Sequence, residues 1–433
     1  MPDQTLVERT AIRKVTVYLL PFLMLAYFVS SIDRVNLGFA ALQMNKEIGL
    51  TSAMFGLGGG LFFIGYFLFE VPSNLVLERF GAPRWIARIM ISWRVISACT
   101  AFVVGPWSFY GLRFLLGIAE AGFFPGVILY LTYWFPRAYR SRVVSLFYVA
   151  VPLSSFVGSP ISAAILGVEG WLGLHGWQWL FLLEGAPSVL LGLVALRVLP
   201  RRPADARWLT PEEKCWLEQT VMSERMDERP VAGVGVWRVM LHPQVLLLSL
   251  VYAGSSAASN GLSLWQPQIL KAFGLTDMQT GLLNSVPFLL AAIVMILWSR
   301  RSDMLHERVW STALPLGISA LALACCLWTS SLTLTVILLS ATLIGTYAFK
   351  GPFWALSTET LSAGAAAAGL AQVNAIGNLA GFGGTALIGV IRDATHSYPL
   401  ALLPLVILEA TGCVVVVAMG RGRSRHRVLA DVT

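Results

Sequence analysis

The sequence predicts an all-α integral membrane protein of about twelve transmembrane helices, read as six spans, a linker and six more. Three observations carry that prediction. Of 433 residues, 56% are hydrophobic and only 12% charged, against roughly 25% charged in ordinary soluble domains. Long apolar runs such as Leu182–Leu196, Val245–Leu264 and Leu400–Met419 dominate the chain, and a helix needs about 20 such residues to cross a bilayer. Basic residues gather in alternate connections. This composition excludes a soluble enzyme with one core, a disordered protein and a nucleic-acid module.

Hydropathy places the spans near residues 15–41, 52–77, 85–104, 108–135, 143–167, 177–199, 242–270, 278–298, 309–328, 332–359, 366–391 and 398–420. The first is too long for the apolar core of a signal peptide and is expected to be retained. One set of connections carries Arg9, Arg13 and Lys14; Arg79 and Arg84; Arg137, Arg140 and Arg142; Arg300, Arg301 and Arg308; and Arg421, Arg423, Arg425 and Arg427. The other set holds Lys46, Lys271 and Arg392. Lys and Arg accumulate on the cytoplasmic side, so both termini are expected there, in the inner (plasma) membrane. The net charge of +8 then needs no anionic macromolecule to explain it. Five cysteines, without a CxxC pair, suit small apolar side chains better than a disulfide framework.

The domains read as 1–199, a cytoplasmic linker 200–241, and 242–433 with its basic tail. Inside the linker, Thr210-Pro211-Glu212-Glu213 has the form of a helix start, with an N-cap Thr, Pro at the first helical position and Glu three residues on. An amphipathic helix should follow, with Trp216, Leu217 and Val221 on one face. The segment Leu77–Arg84 between spans two and three is echoed by Ser299-Arg300-Arg301-Ser302-Asp303 between spans eight and nine. Paired halves of this kind build many secondary transporters, with the substrate near the midplane.

Charges within spans are expensive, about 2.5–3.5 kcal/mol at a helix centre, and so mark candidates. In span one, Asp33 and Arg34 are adjacent and must point about 100° apart, each toward a different partner. Either they serve function or they pin the span to its neighbours. In span four, Arg113 and Glu120 lie seven residues apart, on one face and about 10.5 Å along the axis, with Gly117 leaving room for a ligand or another helix. A cation and a carboxylate on one wall suit an anion coupled to a proton; an interhelical salt bridge is the alternative. In the second half, Tyr252, Ser256, Asn260 and Ser263 form a stripe along span seven. Lys350 shares a face with Trp354 in span ten, as Asn374 does with Asn378 in span eleven. Polar stripes also join helices to each other. Arg94, Glu70, Glu184 and Glu409 read as structural or gating. The five histidines fall in loops, span ends and tail, and no HExxH, GxSxG or Walker sequence occurs, so no metal, cofactor, nucleophile or ATP-driven motor is suggested.

These residues carry a family resemblance. Ile32-Asp33-Arg34-Val35-Asn36-Leu37-Gly38-Phe39-Ala40, Gly65-Tyr66-Phe67-Leu68-Phe69-Glu70-Val71-Pro72-Ser73-Asn74, Arg113–Gly122, Leu129–Pro136, Gly176–Phe181 and Gly351–Leu356 resemble the anion:cation symporter family of the major facilitator superfamily. Among its subgroups the chain looks most like the tartrate-type carboxylate permeases. The resemblance implies two six-helix bundles rocking about a central site, a monomer importing small organic anions with protons. It gives Arg34 and Arg113 to the substrate carboxylate and Asp33 and Glu120 to the proton, and makes Tyr66 substrate-facing. With Asn260, Lys350, Trp354, Asn374 and Asn378, these residues make up the expected site. Glu78-Arg79-Phe80-Gly81 resembles the superfamily's gating motif, with Glu for the usual Asp and Asn74 for its leading Gly. Its echo assigns Arg301 and Asp303 to the same gate. Gly383-Gly384-Thr385 departs from the Gly-x-x-Pro of many relatives.

Overall fold

The structure is a computed structural model that describes residues 4–227, 239–361 and 363–430. Twelve helices are long and apolar enough to cross a membrane: Leu6–Glu47, Ser52–Phe80, Ala82–Phe102, Pro106–Thr132, Leu146–Leu166, Gly176–Val198, Pro243–Lys271, Asp277–Leu305, Val309–Cys326, Leu332–Thr360, Ala368–Thr395 and Leu403–Arg421. They are numbered as spans 1 to 12 below. All twelve expected spans are present, and no strand occurs among the described residues. The first helix runs well beyond its apolar stretch at both ends, starting at Gln4. Residues 228–238 of the linker and 431–433 of the tail lie outside the described residues, as do the side chains of Arg142, Arg423, Arg425 and Arg427.

Three spans are interrupted where a proline withholds a backbone donor. In span 4 the helix stops at Glu120, Gly122 takes a left-handed φ of 85°, and a second helix starts at Phe123. Pro125 leaves the carbonyl of Ala121 without its helical partner. Span 6 breaks between Leu183 and Ala186, with Pro187 just beyond. Span 10 breaks at Phe349, with Pro352 supplying no donor to Ala348. Each break sets a charged residue at or beside it: Glu120, Glu184 and Lys350. Irregular backbone at membrane depth is tolerated where protein or a cavity supplies partners.

The apolar core has three parts. Near the end bearing both termini each half has its own, one around Leu23, Trp93, Phe123 and Trp134 and the other around Leu248, Phe353 and Leu356. At the opposite, far end a single cluster joins Phe39, Phe55, Phe109 and Trp177 of the first half to Trp265, Leu270 and Phe288 of the second. The halves also touch closely there. A Cβ on Gly38 would sit 2.8 Å from the carbonyl oxygen of Leu264, and one on Gly56 would sit 2.6 Å from that of Thr385. The Asn284 amide donates to Ser159 Oγ at 2.8 Å.

The linker helix, Pro211–Asp227, starts as expected. The backbone N–H of Thr210 donates to Glu213 Oε2 at 2.9 Å and that of Glu213 donates to Thr210 Oγ1 at 3.3 Å. Leu217 and Val221 enter the first-half core, Trp216 packs at its edge, and Lys14 pairs with Glu213 at 2.9 Å.

Candidate functional site

Between the halves lies a cavity of about 130 Å³ whose wall is shared by spans 1, 2, 4 and 5 of the first half and 7, 10 and 11 of the second. Span 1 presents Arg34 there. Its Nη2 and Nε donate to Glu120 Oε1 at 2.6 and 3.1 Å, and Ser30 Oγ donates to the same oxygen at 3.3 Å. Glu120 is therefore buried behind Arg34, at the end of the span 4 helix, and does not form part of the wall. Arg113 does. It is buried, its Nε has no hydrogen-bond partner, and among the described residues no carboxylate lies within ion-pair distance. The rings of Phe62 and Tyr66 complete this side, with the Arg34 guanidinium 5.4 Å and that of Arg113 5.2 Å from the Phe62 centroid, close enough for cation–π attraction.

Sequence spacing put Arg113 and Glu120 on one wall; the helix is continuous between them, but Arg34 reaches Glu120 and realises the alternative, an interhelical salt bridge with span 1. Gly117 leaves room not for a ligand but for span 2. A Cβ there would collide with the carbonyl of Phe62.

Asp33 faces the other way. It accepts from Trp93 Nε1 at 3.1 Å and from Asn36 Nδ2 at 3.4 Å. Close by, Ser162 Oγ donates to Glu184 at 2.6 Å, and Arg94 donates to the carbonyls of Phe181 and Leu182 at the span 6 break. Arg94 lies near enough to Asp33 and Glu184 to interact electrostatically with both. The expected divergence of Asp33 and Arg34 is thus realised as two separate networks.

The second half contributes the wall expected of spans 7, 10 and 11: Tyr252, Ser256, Asn260, Ser263, Lys350, Asn374 and Asn378. Asn260 Nδ2 donates to the Ser256 carbonyl at 2.9 Å, while Ser256 Oγ donates to the Gly377 carbonyl at 2.7 Å, so the stripe lines the cavity and joins helices at once. Lys350 Nζ sits 4.5 Å from the Tyr347 ring centroid, with no carboxylate partner among the described residues. Trp354 stands behind the wall, 5.0 Å from the Tyr252 ring. The amides of Asn374 and Asn378 donate to the two oxygens of Glu70 at 3.0 and 3.3 Å. Sequence reasoning read Glu70 as structural or gating and left it out of the substrate site; its place one helical turn after Tyr66, on the same face, was the available signal.

The expected gate residues lie at the terminal end, away from this cavity. Gly81 has φ 89°, and Arg79 lies over Phe80 at 6.0 Å. Glu78, Arg79 and Gly81 border a second cavity of about 770 Å³ that includes Arg201 and Glu218. Arg301 lies over Trp298 at 5.0 Å, and Asp303 pairs with Arg308 at 2.7 Å.

A cavity at the seam of two six-helix halves, lined from both, is the arrangement of a carrier. The profile of the Major Facilitator Superfamily matches residues 23–385. The chain belongs to that superfamily. It is a multi-pass membrane transporter and not an enzyme. A protein of Agrobacterium vitis named "Putative tartrate transporter" is 47% identical over 96% of this chain and 95% of its own length. A "Quinolone resistance transporter" of Acinetobacter baumannii is 38% identical over 94% of each chain. Among solved structures, the xylose transporter XylE from E. coli superposes with a TM-score of 0.72 at 15% identity, covering 94% of this chain and 98% of that one, which speaks for the fold.

Proposed function

We propose that the protein imports small organic carboxylates, of tartrate or related dicarboxylate type, together with protons. Transport runs by alternating access between bundles 1–199 and 242–433, in the inner membrane and with both termini cytoplasmic. The observation that carries this is the cation set of the cavity. Arg113 and Lys350 reach one small space from opposite halves, neither with a carboxylate partner among the described residues. The Arg113 guanidinium binds a carboxylate through paired planar hydrogen bonds, the Lys350 ammonium receives a second as a point charge, and the two together fit a dianion. The relative named for tartrate, at 47% identity, supports the same class.

Coupling follows from the Arg34–Glu120 pair. A substrate carboxylate competes with Glu120 for Arg34, and a buried carboxylate deprived of its cation is neutralised by a proton. Asp33 is off the cavity wall, so its part in coupling runs through span 1. Uptake of labelled tartrate into proteoliposomes under an imposed pH gradient tests both levels. Accumulation that needs the gradient, and is lost in Arg113→Lys with folding intact, is expected. Exchange of internal for external anion without net proton movement would instead make this an anion exchanger, and wild-type uptake by Arg113→Lys would remove that residue from the site.

A further inference from the structure

Spans 2 and 11 are tied together at two levels. At the far end, Asp393 of span 11 accepts from the backbone N–H groups of Ser52 and Ala53, at 3.0 and 2.7 Å, and so caps the start of span 2 across the two halves. Nearer the termini, Glu70 of span 2 reaches the other way, to Asn374 and Asn378. These joints differ in what they use. The Asp393 joint engages backbone donors at a helix start. The Glu70 joint engages side-chain amides that also line the substrate cavity.

Glu70 is half-buried and has no Lys or Arg within ion-pair distance among the described residues. A carboxylate taken from water needs donors, and the two amides, one helical turn apart, supply one to each oxygen. That is also how a planar carboxylate of a substrate would be received.

We propose that Glu70 is a built-in occupant of the second-half carboxylate position. Without substrate it holds the Asn374–Asn378 amide pair and so latches span 2 to span 11. A substrate carboxylate that takes the amides displaces Glu70 and frees the terminal ends of the two spans, while the Asp393 joint keeps the far end together. The substrate part rests on the carboxylate assignment above; the latch does not.

The test has two arms on purified protein. In the first, spin labels on span 2 at Leu75 and span 11 at Ala371, both exposed, report separation with no substrate present. Glu70→Ala should lengthen and broaden it, and Glu70→Gln, which keeps one acceptor, should do so less. An unchanged separation in Glu70→Ala overturns the latch, whatever the protein carries. In the second arm, titration with L-tartrate should show Glu70→Ala binding roughly tenfold more tightly than wild type, the scale of one charge-assisted hydrogen bond, with Glu70→Gln between them. Equal gains in the Ala and Gln variants would make Glu70 a distant charge and overturn the proposal. Failure of wild type to bind any carboxylate while the separation still responds would sink the substrate class and leave the latch standing.

Discussion

In the first half, buried acids have charged company, Glu120 with Arg34 and Asp33 and Glu184 with Arg94; the exception among its buried charges is Arg113, which has no ion-pair partner among the described residues. In the second half, Lys350 sits over a tyrosine ring, and Glu409, fully buried, is held by the hydroxyls of Ser319 at 2.5 Å and Thr346 at 3.1 Å. Opposite charges close together fix each other's position, because losing one partner leaves the other uncompensated at several kcal/mol. Hydroxyls and rings tolerate change, since a hydroxyl can turn from donor to acceptor. The contrast amounts to a division of labour: a first half that holds its buried acids in set networks of charge, and a second half that holds its buried charges with hydroxyls and a ring.

The largest effect that could break this contrast concerns Lys350. If it is the second half's free cation for a dianion, Lys350→Gln should weaken competition by dicarboxylates in an uptake assay about tenfold and competition by matched monocarboxylates little. The structure has already given Glu359, a possible partner for Lys350, to Arg308 at 3.2 Å. Equal loss for both acid classes would make Lys350 structural.

Both the contrast and its exception were partly legible in the sequence. The twelve spans follow from apolar length alone, and the linker helix from a capping pattern that depends only on neighbouring residues. Arg34, Arg113 and Lys350 stood out because charge inside a span is costly wherever it points. Pairing was not legible. Helical spacing put Glu120 on one face with Arg113, and the helix is continuous between them, but spacing within one span does not record that Arg34 of another span reaches the acid. The partners of Glu70, read as structural or gating, and of Asp393 were not legible because they lie some three hundred residues away in sequence, and no local pattern records a contact across the seam. Trp354 shares helical register with Lys350 in one helix, yet its indole packs against Tyr252 and Phe353 behind the wall, a choice between neighbours that register alone does not record.

A middle-sized effect sharpens the comparison, because the halves place a buried glutamate on corresponding spans, Glu184 on span 6 and Glu409 on span 12. Replacing each by glutamine keeps the shape and removes the charge. At Glu184 the substitution keeps the Ser162 hydroxyl as a partner but removes the charge that interacts with Arg94, and Glu184→Gln should cost about 1–3 kcal/mol, a thermal shift of several degrees. At Glu409 the Ser319 and Thr346 hydroxyls can re-pair with an amide, so Glu409→Gln should stay within roughly 0.5 kcal/mol of wild type. Thermal unfolding in detergent decides it, and equal shifts would end the claim that the halves treat charge differently.

The smallest effect lies at the far-end bend before each half's last span. Before span 6, His175 Nδ1 meets Glu169 Oε1 at 2.5 Å and His175 Nε2 meets Glu47 Oε1 at 3.2 Å, while the Gly176 N–H donates to Glu169 Oε2 at 2.8 Å. Before span 12, the Arg392 guanidinium lies 4.5 Å from the Tyr398 ring. Each bend carries a histidine, His175 in the first and His396 in the second, but among the described residues only His175 is paired with carboxylates. The hydrogen bond to Glu169, followed by the charge of Glu47, holds His175 above its ordinary pKa. The N–H of Gly176, followed by the His175 bond, holds Glu169 below its own. A raised histidine stabilises fully below its unfolded value, about 6.5, and loses that contribution as pH rises through the folded value. A lowered glutamate stabilises fully above its unfolded value, about 4.3, and loses it as pH falls. Both contributions are whole between those two values. His175→Ala should therefore lower the melting temperature near pH 5.5 and make no difference near pH 9. Both groups are largely exposed, so the shift should be well below that of Glu184→Gln and should shrink with added salt. Tyr398→Ala at the second-half bend, whatever its own cost, should cost the same at both pH values. A His175→Ala loss that does not depend on pH would mean that the ring packs at this bend and carries no charge there.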